Sequence, residues 1–473
     1  MQPLKRVLLL LVLIAAAAFV HHRVALAVPQ YSAQAGRTCD NCHIMPDWDM
    51  PKLAHRKRNM SCQACHVDPA GGGMRTTAGR YYGRSTLPMI ATSPRPQDDW
   101  DHNFPGIGRR DKATPYETYM PIGPRNLEQA AAYTDSINDK WAWGTHRKLI
   151  PTAPFPGRYF GLNPDPKLRF GGDFRAAALF AGSTNVFPMQ LDVSTVVHPV
   201  HHVTALMVVG ARGQSSGYSD TFDDSHTPYF RDLFAMSSEW PYQSYVKAGR
   251  FMPNFGLRLD DHTNRTRREF ELDNSIPESR VLGVEAGAVA AFPFVHASYF
   301  KMKSKFEEPD PWDIFDVDDG WGASLNLGWR SFAWSFGASS MVRRRPLDQG
   351  GDTDTFGIYG SFNPWYFSTG IPVSLQGEID FGSAQRASGL DADKIAMYGE
   401  IDYAAWNGVN LLFAYDWADP DRDVIDDESG RAQVGAQITV YPGVTIDSRV
   451  RYLHVTTPDG NDADLFVQLH VWF

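Results

Sequence analysis

The residues with the clearest chemical meaning are four cysteines that form two pairs, each followed directly by a histidine. Residues 39–43 read Cys-Asp-Asn-Cys-His and residues 62–66 read Cys-Gln-Ala-Cys-His. Two thiols at this spacing can form thioethers with the two vinyl groups of one porphyrin, and the adjacent histidine can then bind the iron. The spacing predicts two covalently bound haem c groups. The attachment residues would be Cys39, Cys42, Cys62 and Cys65, and the axial iron ligands would be His43 and His66.

The sequence holds no further cysteine. A Cys₄ zinc site or two redox disulfides are the alternative interpretations of the four thiols. Neither alternative explains why a histidine follows both pairs. His55 is the candidate for a second axial ligand, because it lies between the two motifs. Methionine ligation would raise the haem potential instead, and the methionines near the motifs are Met45, Met50, Met60 and Met74.

The N-terminus has the pattern of a secretory signal peptide. Lys5 and Arg6 precede an apolar run from Leu8 to Val20, and residues 25–27 read Ala-Leu-Ala, which fits the small-x-small cleavage rule. We therefore expect residues 1–27 to be removed on export, with an uncleaved membrane anchor as the alternative. The net charge of −9 gives no support to nucleic-acid binding.

The remaining chain divides into three parts by composition. Residues 28–90 hold both motifs and form the predicted dihaem module, small and irregular or helical. Residues 91–165 are rich in proline and lack a clear period, so they are interpreted as a linker or a plug. Residues 166–473 alternate between apolar and polar side chains, as in the segment Val373–Phe381. Period two predicts strands with one apolar and one polar face.

A membrane β-barrel explains this alternation better than a soluble β-sandwich. The segments are about ten residues long and many end in aromatic residues, and short turns alternate with long polar loops, including one at about 257–280. The long loops are expected to face the outside. We count about sixteen strands, centred near 173, 193, 207, 236, 249, 286, 298, 326, 337, 359, 378, 399, 413, 437, 450 and 469. The charged residues expected to face the lumen are Arg169, Asp173, Arg175, Glu378, Asp380, Glu400, Asp402, Asp447, Arg449 and Arg451.

A resemblance to a known family adds to these expectations. The segment Cys62–Tyr82, with Arg75 and Gly79, resembles cytochromes attached to outer-membrane porins, and the terminal Phe473 resembles the last residue of bacterial porins. The whole arrangement resembles the fused porin–cytochrome proteins of iron-oxidising and metal-reducing bacteria. One departure is that the best-known fused iron oxidisers carry a single haem motif, whereas this chain has two. This difference leaves open iron as the substrate and the direction of electron flow.

The resemblance implies an electron conduit in the outer membrane, embedded in lipid. Its implied partners are periplasmic c-type cytochromes and, on the outside, another cytochrome, metal ions or minerals. Such a protein transfers electrons rather than acting as a conventional enzyme, although extracellular metal oxidoreduction remains open. Two alternatives stay open as well: a solute porin with a docking or regulatory cytochrome module, and a haem enzyme such as a peroxidase.

Overall fold

The computed structural model describes the barrel and one short segment that precedes it. The described residues are 60–76 without Cys65, Ile90, and 168–472 without 201, 213–228, 260, 262, 273–278, 291, 303–314, 316, 318, 332, 365–371, 386–390, 407, 442 and 456–461. The predicted signal peptide, the first haem motif and the linker at 91–165 lie outside the described residues. Within the described part, no helix is long and apolar enough to cross a membrane.

Sixteen antiparallel strands close into one barrel in the described part of the chain. They are β1 (Leu168–Ala181), β2 (Ser183–Val200), β3 (Val203–Arg212), β4 (Tyr229–Trp240), β5 (Ser244–Phe251), β6 (Val281–Val289), β7 (Pro293–Met302), β8 (Trp321–Arg330), β9 (Trp334–Arg344), β10 (Thr353–Phe362), β11 (Val373–Gln385), β12 (Asp391–Trp406), β13 (Val409–Asp419), β14 (Ser429–Tyr441), β15 (Val444–Val455) and β16 (Asp462–Trp472).

Each strand pairs with its neighbours in sequence, and β1 pairs with β16, where Asp173 lies opposite Trp472. This closure leaves no free strand edge. The expected count of sixteen strands is confirmed, and every predicted strand centre lies inside an observed strand. An even strand number places the start of β1 and the end of β16 at the same end of the barrel, which we call the entry end; the opposite end is the far end.

The two faces of each strand follow the predicted alternation. Along β7, for example, Phe294, His296 and Phe300 are buried, whereas Val295 and Tyr299 between them are exposed on the outer wall. The ten charged residues expected in the lumen are all buried or partly buried, as expected for inward-facing side chains. The barrel therefore has an apolar outer wall and a polar interior.

Aromatic side chains form belts on the outer wall near both ends. Exposed aromatic residues near the entry end are Trp240, Tyr242, Tyr403, Trp406 and Tyr441, and those near the far end are Tyr299, Trp321, Tyr415 and Tyr452. Tyr299 and Trp321 on adjacent strands stack with ring centroids 5.9 Å apart. Two aromatic belts that flank an apolar band are the pattern of transmembrane barrels.

The connection between β5 and β6 departs from the sequence-based expectation. Residues 257–280 were expected to form an external loop, but the described residues from Met252 to Leu272, here called the inner loop, turn into the lumen. They include a short helix, α1 (Arg265–Glu269), whose N-cap Asn264 accepts a hydrogen bond from the amide of Arg267. The reason is electrostatic, because the polar groups of the loop pair with charged groups of the inner wall.

Candidate functional site

The described part of the second Cys-x-x-Cys-His motif, which excludes Cys65, lies inside the barrel. The described residues Met60–Thr76 without Cys65 are called the motif segment. Cys62–Ala64 form a 3₁₀ turn, and the amide of His66 donates to the carbonyl of Cys62 at 2.8 Å. This single helical turn places the backbones of Cys62 and His66 near each other in space, which is the local geometry that attachment of one macrocycle requires.

The motif segment then reverses direction at three glycines. Gly71, Gly72 and Gly73 have φ values of 88°, 73° and 59°, a left-handed region that L-residues other than glycine rarely adopt. After the reversal, the amide of Val67 donates to the carbonyl of Met74 at 3.0 Å, and His66 pairs with Arg75 in an antiparallel bridge. The glycines thus fold the segment back under His66.

Contacts at both ends of the segment attach it to the entry end of the barrel. The amide Nε2 of Gln63 donates to the carbonyl of Gln243, in the turn between β4 and β5, at 2.7 Å. Four strands away from β4 along the closed sheet, the guanidinium of Arg75 lies 3.4 Å from the ring centroid of Trp472 on β16. The segment is therefore attached to two separate parts of the wall.

Asp68 is the main charged anchor of the segment. Its carboxylate lies 3.4 Å from Nζ of Lys247 on β5 and 3.1 Å from the guanidinium of Arg258 in the inner loop. Burial alone would raise the pKa of Asp68, but the charges of Lys247 and Arg258 and the amide of Ala70 hold this pKa below its usual range. The anchor is therefore ionised at neutral pH.

A buried polar network supports this anchor from the wall. Lys247 is completely buried and also pairs with Glu285 on β6 at 2.9 Å. The hydroxyl of Tyr245 donates to Glu285 at 2.6 Å and lies 2.8 Å from Nδ1 of His296 on β7. Since Glu285 takes the hydroxyl proton, Nδ1 of His296 is the donor in the second contact.

His66 lines a cavity with about 1200 Å³ of space not filled by protein atoms, a volume that includes space open to solvent. Its Nδ1 donates to the carbonyl of Gly72 at 3.0 Å, so Nε2 is the ring nitrogen that would bind a metal, as in most histidine–metal sites. Burial, reinforced by the charge of Arg75, lowers the pKa of His66 to about 3. The imidazole is therefore neutral, the form that binds iron.

The cavity wall leaves room for a flat group and carries charges of both signs. A Cβ on Gly73 would meet no atom within 4 Å, so open space lies in front of this glycine. Glycines 171 and 172 of β1 also line the cavity. Cationic lining residues are Arg75, Arg175, Arg231 and Arg258, and acidic ones are Asp68, Asp173, Asp192 and Asp232. Arg175, Arg231 and Arg258 are paired with acidic residues of the same lining. The glycines and the open space beside His66 are therefore the features that fit a haem.

The structure brings together part of the predicted site. Among the described residues Cys62 has no disulfide partner; it lies 3.7 Å from the guanidinium of Arg330, and His66 follows it as described. Met60 and Met74 are both buried, and Met74 lines the same cavity as His66. The other predicted site residues lie outside the described residues: Cys39, Cys42, His43, His55 and Cys65. Within the described part of the chain, no group of three or more His, Cys, Asp or Glu residues could hold a metal ion.

The inner loop narrows the lumen beyond the motif segment. The guanidinium of Arg267 pairs with Glu378 on β11 at 2.7 Å and also donates to the carbonyls of Phe255 and Leu257. Gly256 has a φ of 56°, and a Cβ there would overlap the carboxylate of Glu378. The loop is thus held tightly against the wall, and the glycine is required for this close approach.

Sequence reasoning missed the residues that hold the two inner segments. Alternation places Lys247 in the lumen, but nothing in the sequence connects it to Asp68, 179 residues earlier. Residues of the inner loop also have structural roles that the sequence does not reveal. Asp261 accepts hydrogen bonds from Thr263 and pairs with Arg449 on β15 at 2.9 Å, and Asn264 caps α1.

Comparison with known proteins relates the barrel to porins by fold. No protein-family model matches the chain, and no curated protein matches its sequence. The solved structure of Pseudomonas putida OprB has a TM-score of 0.51 at 9% identity, over 65% of this chain and 94% of OprB. OmpT, an outer membrane protein of Vibrio cholerae, gives a TM-score of 0.47 at 12% identity, over 65% of this chain and 99% of a loop-deletion mutant of OmpT. The barrel is thus similar in fold to an outer-membrane porin.

Proposed function

We propose that this protein is an outer-membrane electron conduit that holds c-type haem inside a porin-like barrel. The observation that carries the proposal is the placement of His66. This neutral histidine follows Cys62 by one helical turn, faces a large cavity, and lies within the lumen of a closed barrel. A diffusion porin has no need of a Cys-x-x-Cys-His motif at this position.

The outer wall supports a location in the outer membrane. Apolar side chains cover the wall between two aromatic belts, and the barrel satisfies its backbone hydrogen bonds without a free edge. The predicted signal peptide agrees with export. The entry end, where β1 begins and β16 ends, then faces the periplasm, as porin architecture requires.

The residues of the motif segment would hold and orient the cofactor. Cys62 and Cys65 would attach one haem, His66 would be its axial ligand, and Cys39, Cys42 and His43 would serve the second haem. The haem supplies reversible one-electron chemistry when it is bound. Gly72 fixes the tautomer of His66, Asp68 fixes the segment to the wall, and the inner loop limits the access of water from the far end.

The entry end offers the place for electron exchange with periplasmic c-type cytochromes. Cys62 lies near Arg330 at the end of β8, and Gln63 contacts the turn at Gln243. A haem attached here would lie near the periplasmic surface of the barrel. The far end would then meet an extracellular cytochrome, metal ions or minerals.

Liposomes that contain a reduced redox dye test the proposal. With the protein in the membrane and ferric citrate outside, we expect oxidation of the enclosed dye. The matched control is the same barrel with Cys39, Cys42, Cys62 and Cys65 changed to alanine, which should leave the dye reduced. Equal rates of dye oxidation for both proteins would refute the proposal.

The solute porin is the second candidate, consistent with the porin-like fold of the barrel. It predicts that sugars of porin-permeant size enter the same liposomes at equal rates with the native protein and the cysteine-free control. The peroxidase alternative requires an open iron position, so low-spin, six-coordinate spectra of both haems would exclude it.

A further inference from the structure

Four acidic residues form two pairs on the inner wall of the barrel. Glu378 and Asp380 lie on β11, and Glu400 and Asp402 lie on the adjacent β12. Members of each pair are two residues apart, so their side chains face the lumen on the same side of the strand. All four are buried, with exposed fractions between 0% and 7%.

Positive charge does not balance these acids. In the described part of the chain, Arg267 forms an ion pair with Glu378, and no other Lys or Arg lies within ion-pair distance of the four carboxylates. Asp261 and Asp447, which are near Glu400 and Asp402, are already paired with Arg449. Burial of several unpaired carboxylates is very unfavourable, so some of the four must be neutral.

The hydrogen bonds of Glu400 and Asp402, called the lower pair, show where a proton is required. Glu400 accepts from the hydroxyl of Tyr398 and from Nε2 of Gln376, both at 2.5 Å. Asp402 accepts from Nδ2 of Asn410 at 3.0 Å through Oδ1, whereas its Oδ2 has no donor and no access to water. Glu400 and Asp402 lie two residues apart on the same buried face of β12, and two neighbouring carboxyl groups in such a site share one proton rather than both ionise.

Glu378 and Asp380, called the upper pair, have the same arrangement. They lie two residues apart on the same buried face of β11, and both oxygens of Asp380 lack a donor among the described residues. Arg267 and the amide of Leu257 donate to Glu378, so Glu378 is the stabilised carboxylate and Asp380 the partner that would carry the proton. Tyr398, which bonds Glu400, lies opposite Glu378 in the strand register and so separates the two pairs.

We propose that each pair holds one proton between its carboxyl groups, and that the Glu400–Asp402 pair is a proton-binding site linked to the redox state of the haem cavity. The link rests on the function proposed above. The cavity beside Glu400 and Asp402 has about 580 Å³ of space, and Arg175, Leu259 and His470 line both this cavity and that of His66.

Uptake of a proton by the Glu400–Asp402 pair would balance the charge of an electron that enters the His66 cavity. One electron delivered from a donor cytochrome adds one negative charge to the His66 cavity, and this charge raises the proton affinity of a nearby carboxylate. The pair, which holds one proton before the electron arrives, then takes a second from the water of the lumen. The titratable and charged groups that face the pair from the surrounding elements are Arg175, Asp261, Tyr398, Asp447, Arg449 and His470.

Infrared spectroscopy of the full-length protein tests the shared proton without reference to haem. At pH 7 we expect a carboxylic-acid C=O band that shifts in D₂O. Glu400→Gln and Asp402→Asn should each remove the part of the band that belongs to the lower pair. The control Glu269→Gln removes a carboxylate that is paired with Lys394 at 2.6 Å, and should leave the band unchanged. A heat-modifiable gel shift verifies that each barrel is folded.

A potentiometric titration of the haem tests the redox link. In the native protein the midpoint potential should fall as the pH rises, and this dependence should be lost in Asp402→Asn and retained in Glu269→Gln. Absence of the carboxylic-acid band, or a band of undiminished intensity in both Glu400→Gln and Asp402→Asn, would overturn the shared proton. A pH dependence that persists in Asp402→Asn would overturn the link alone. If the protein binds no haem, the proposed function fails while the infrared result still stands or falls by itself.

Discussion

Asp68 provides the sharpest test of how the motif segment is held in the lumen. The substitution Asp68→Asn keeps the shape of the side chain but removes the charge that Lys247 and Arg258 contact at 3.4 and 3.1 Å. A hydrogen bond to a charged group contributes about 1.5–3 kcal/mol. Lys247 keeps its contact with Glu285 and Arg258 is partly exposed, so we expect a net loss near the lower end, about 2 kcal/mol. This loss corresponds to about a 30-fold increase in the undocked population.

Hydrogen exchange of peptides from the motif segment measures this population. The reporters are the amides of Val67 and Gly71, which donate to the carbonyls of Met74 and Asp68. Their exchange should be about 30-fold faster in Asp68→Asn, with exchange in β11 unchanged. The control Asp423→Asn changes an exposed acid in the loop between β13 and β14 and should have no effect on the segment.

A double-mutant cycle with Arg258→Gln separates the ion pair from general destabilisation. Contacting residues in one charged network show coupling of about 0.5–3 kcal/mol, whereas independent sites add within about 0.3–0.5 kcal/mol. We expect coupling of about 1 kcal/mol between Asp68 and Arg258. Additive effects, together with unchanged exchange in Asp68→Asn, would show that the ion pair does not hold the segment.

Three further predictions concern the turn and the inner loop. Gly73→Ala should weaken docking of the motif segment by about 1–2 kcal/mol, because a left-handed backbone strains alanine even though a Cβ would meet no atom there. Hydrogen exchange at Val67 and Gly71 measures this loss, and an unchanged exchange rate would contradict the prediction. Arg267→Met leaves Glu378 buried without its cation, which costs about 3–5 kcal/mol. The inner loop should therefore loosen, and ion conductance in planar bilayers should rise. The control Lys394→Met breaks a partly exposed pair and should change the conductance little. Burial alone would raise the pKa of Asp261, but Arg449 and Arg431 hold it below its usual value. The contribution of Asp261 is therefore complete above the unfolded pKa of about 3.9 and lost as the pH falls further, so acid should increase protease cleavage of the inner loop less in Asp261→Asn than in the native protein.

The sequence was sufficient to predict the barrel because a barrel wall imposes one period on every strand. Alternation along segments such as Val373–Phe381 follows directly from a lipid-facing and a lumen-facing side, so strand number and inward residues could be predicted without the structure. The spacing of Cys62, Cys65 and His66 predicts haem attachment, which stays a prediction. In contrast, the direction of the inner loop could not be predicted, because polar residues such as Asp261 suit water and a charged lumen equally well. The contacts of Asp68 with Lys247 and Arg258 could not be predicted either, since these residues are far apart in the chain.

The inner loop and the motif segment form one connected structure within the lumen. Arg258 follows Leu257, whose amide donates to Glu378 at 3.2 Å, and Arg258 itself pairs with Asp68. Because Leu257 and Arg258 are adjacent in the chain, the attachment of the loop to β11 also helps to hold the motif segment. If this connection is part of the conduit, Arg267→Met should increase exchange at Val67 and Gly71 as well as in the loop. A solute porin with an independent cytochrome module predicts instead that the loop responds alone, because such a module would not depend on the constriction for its position.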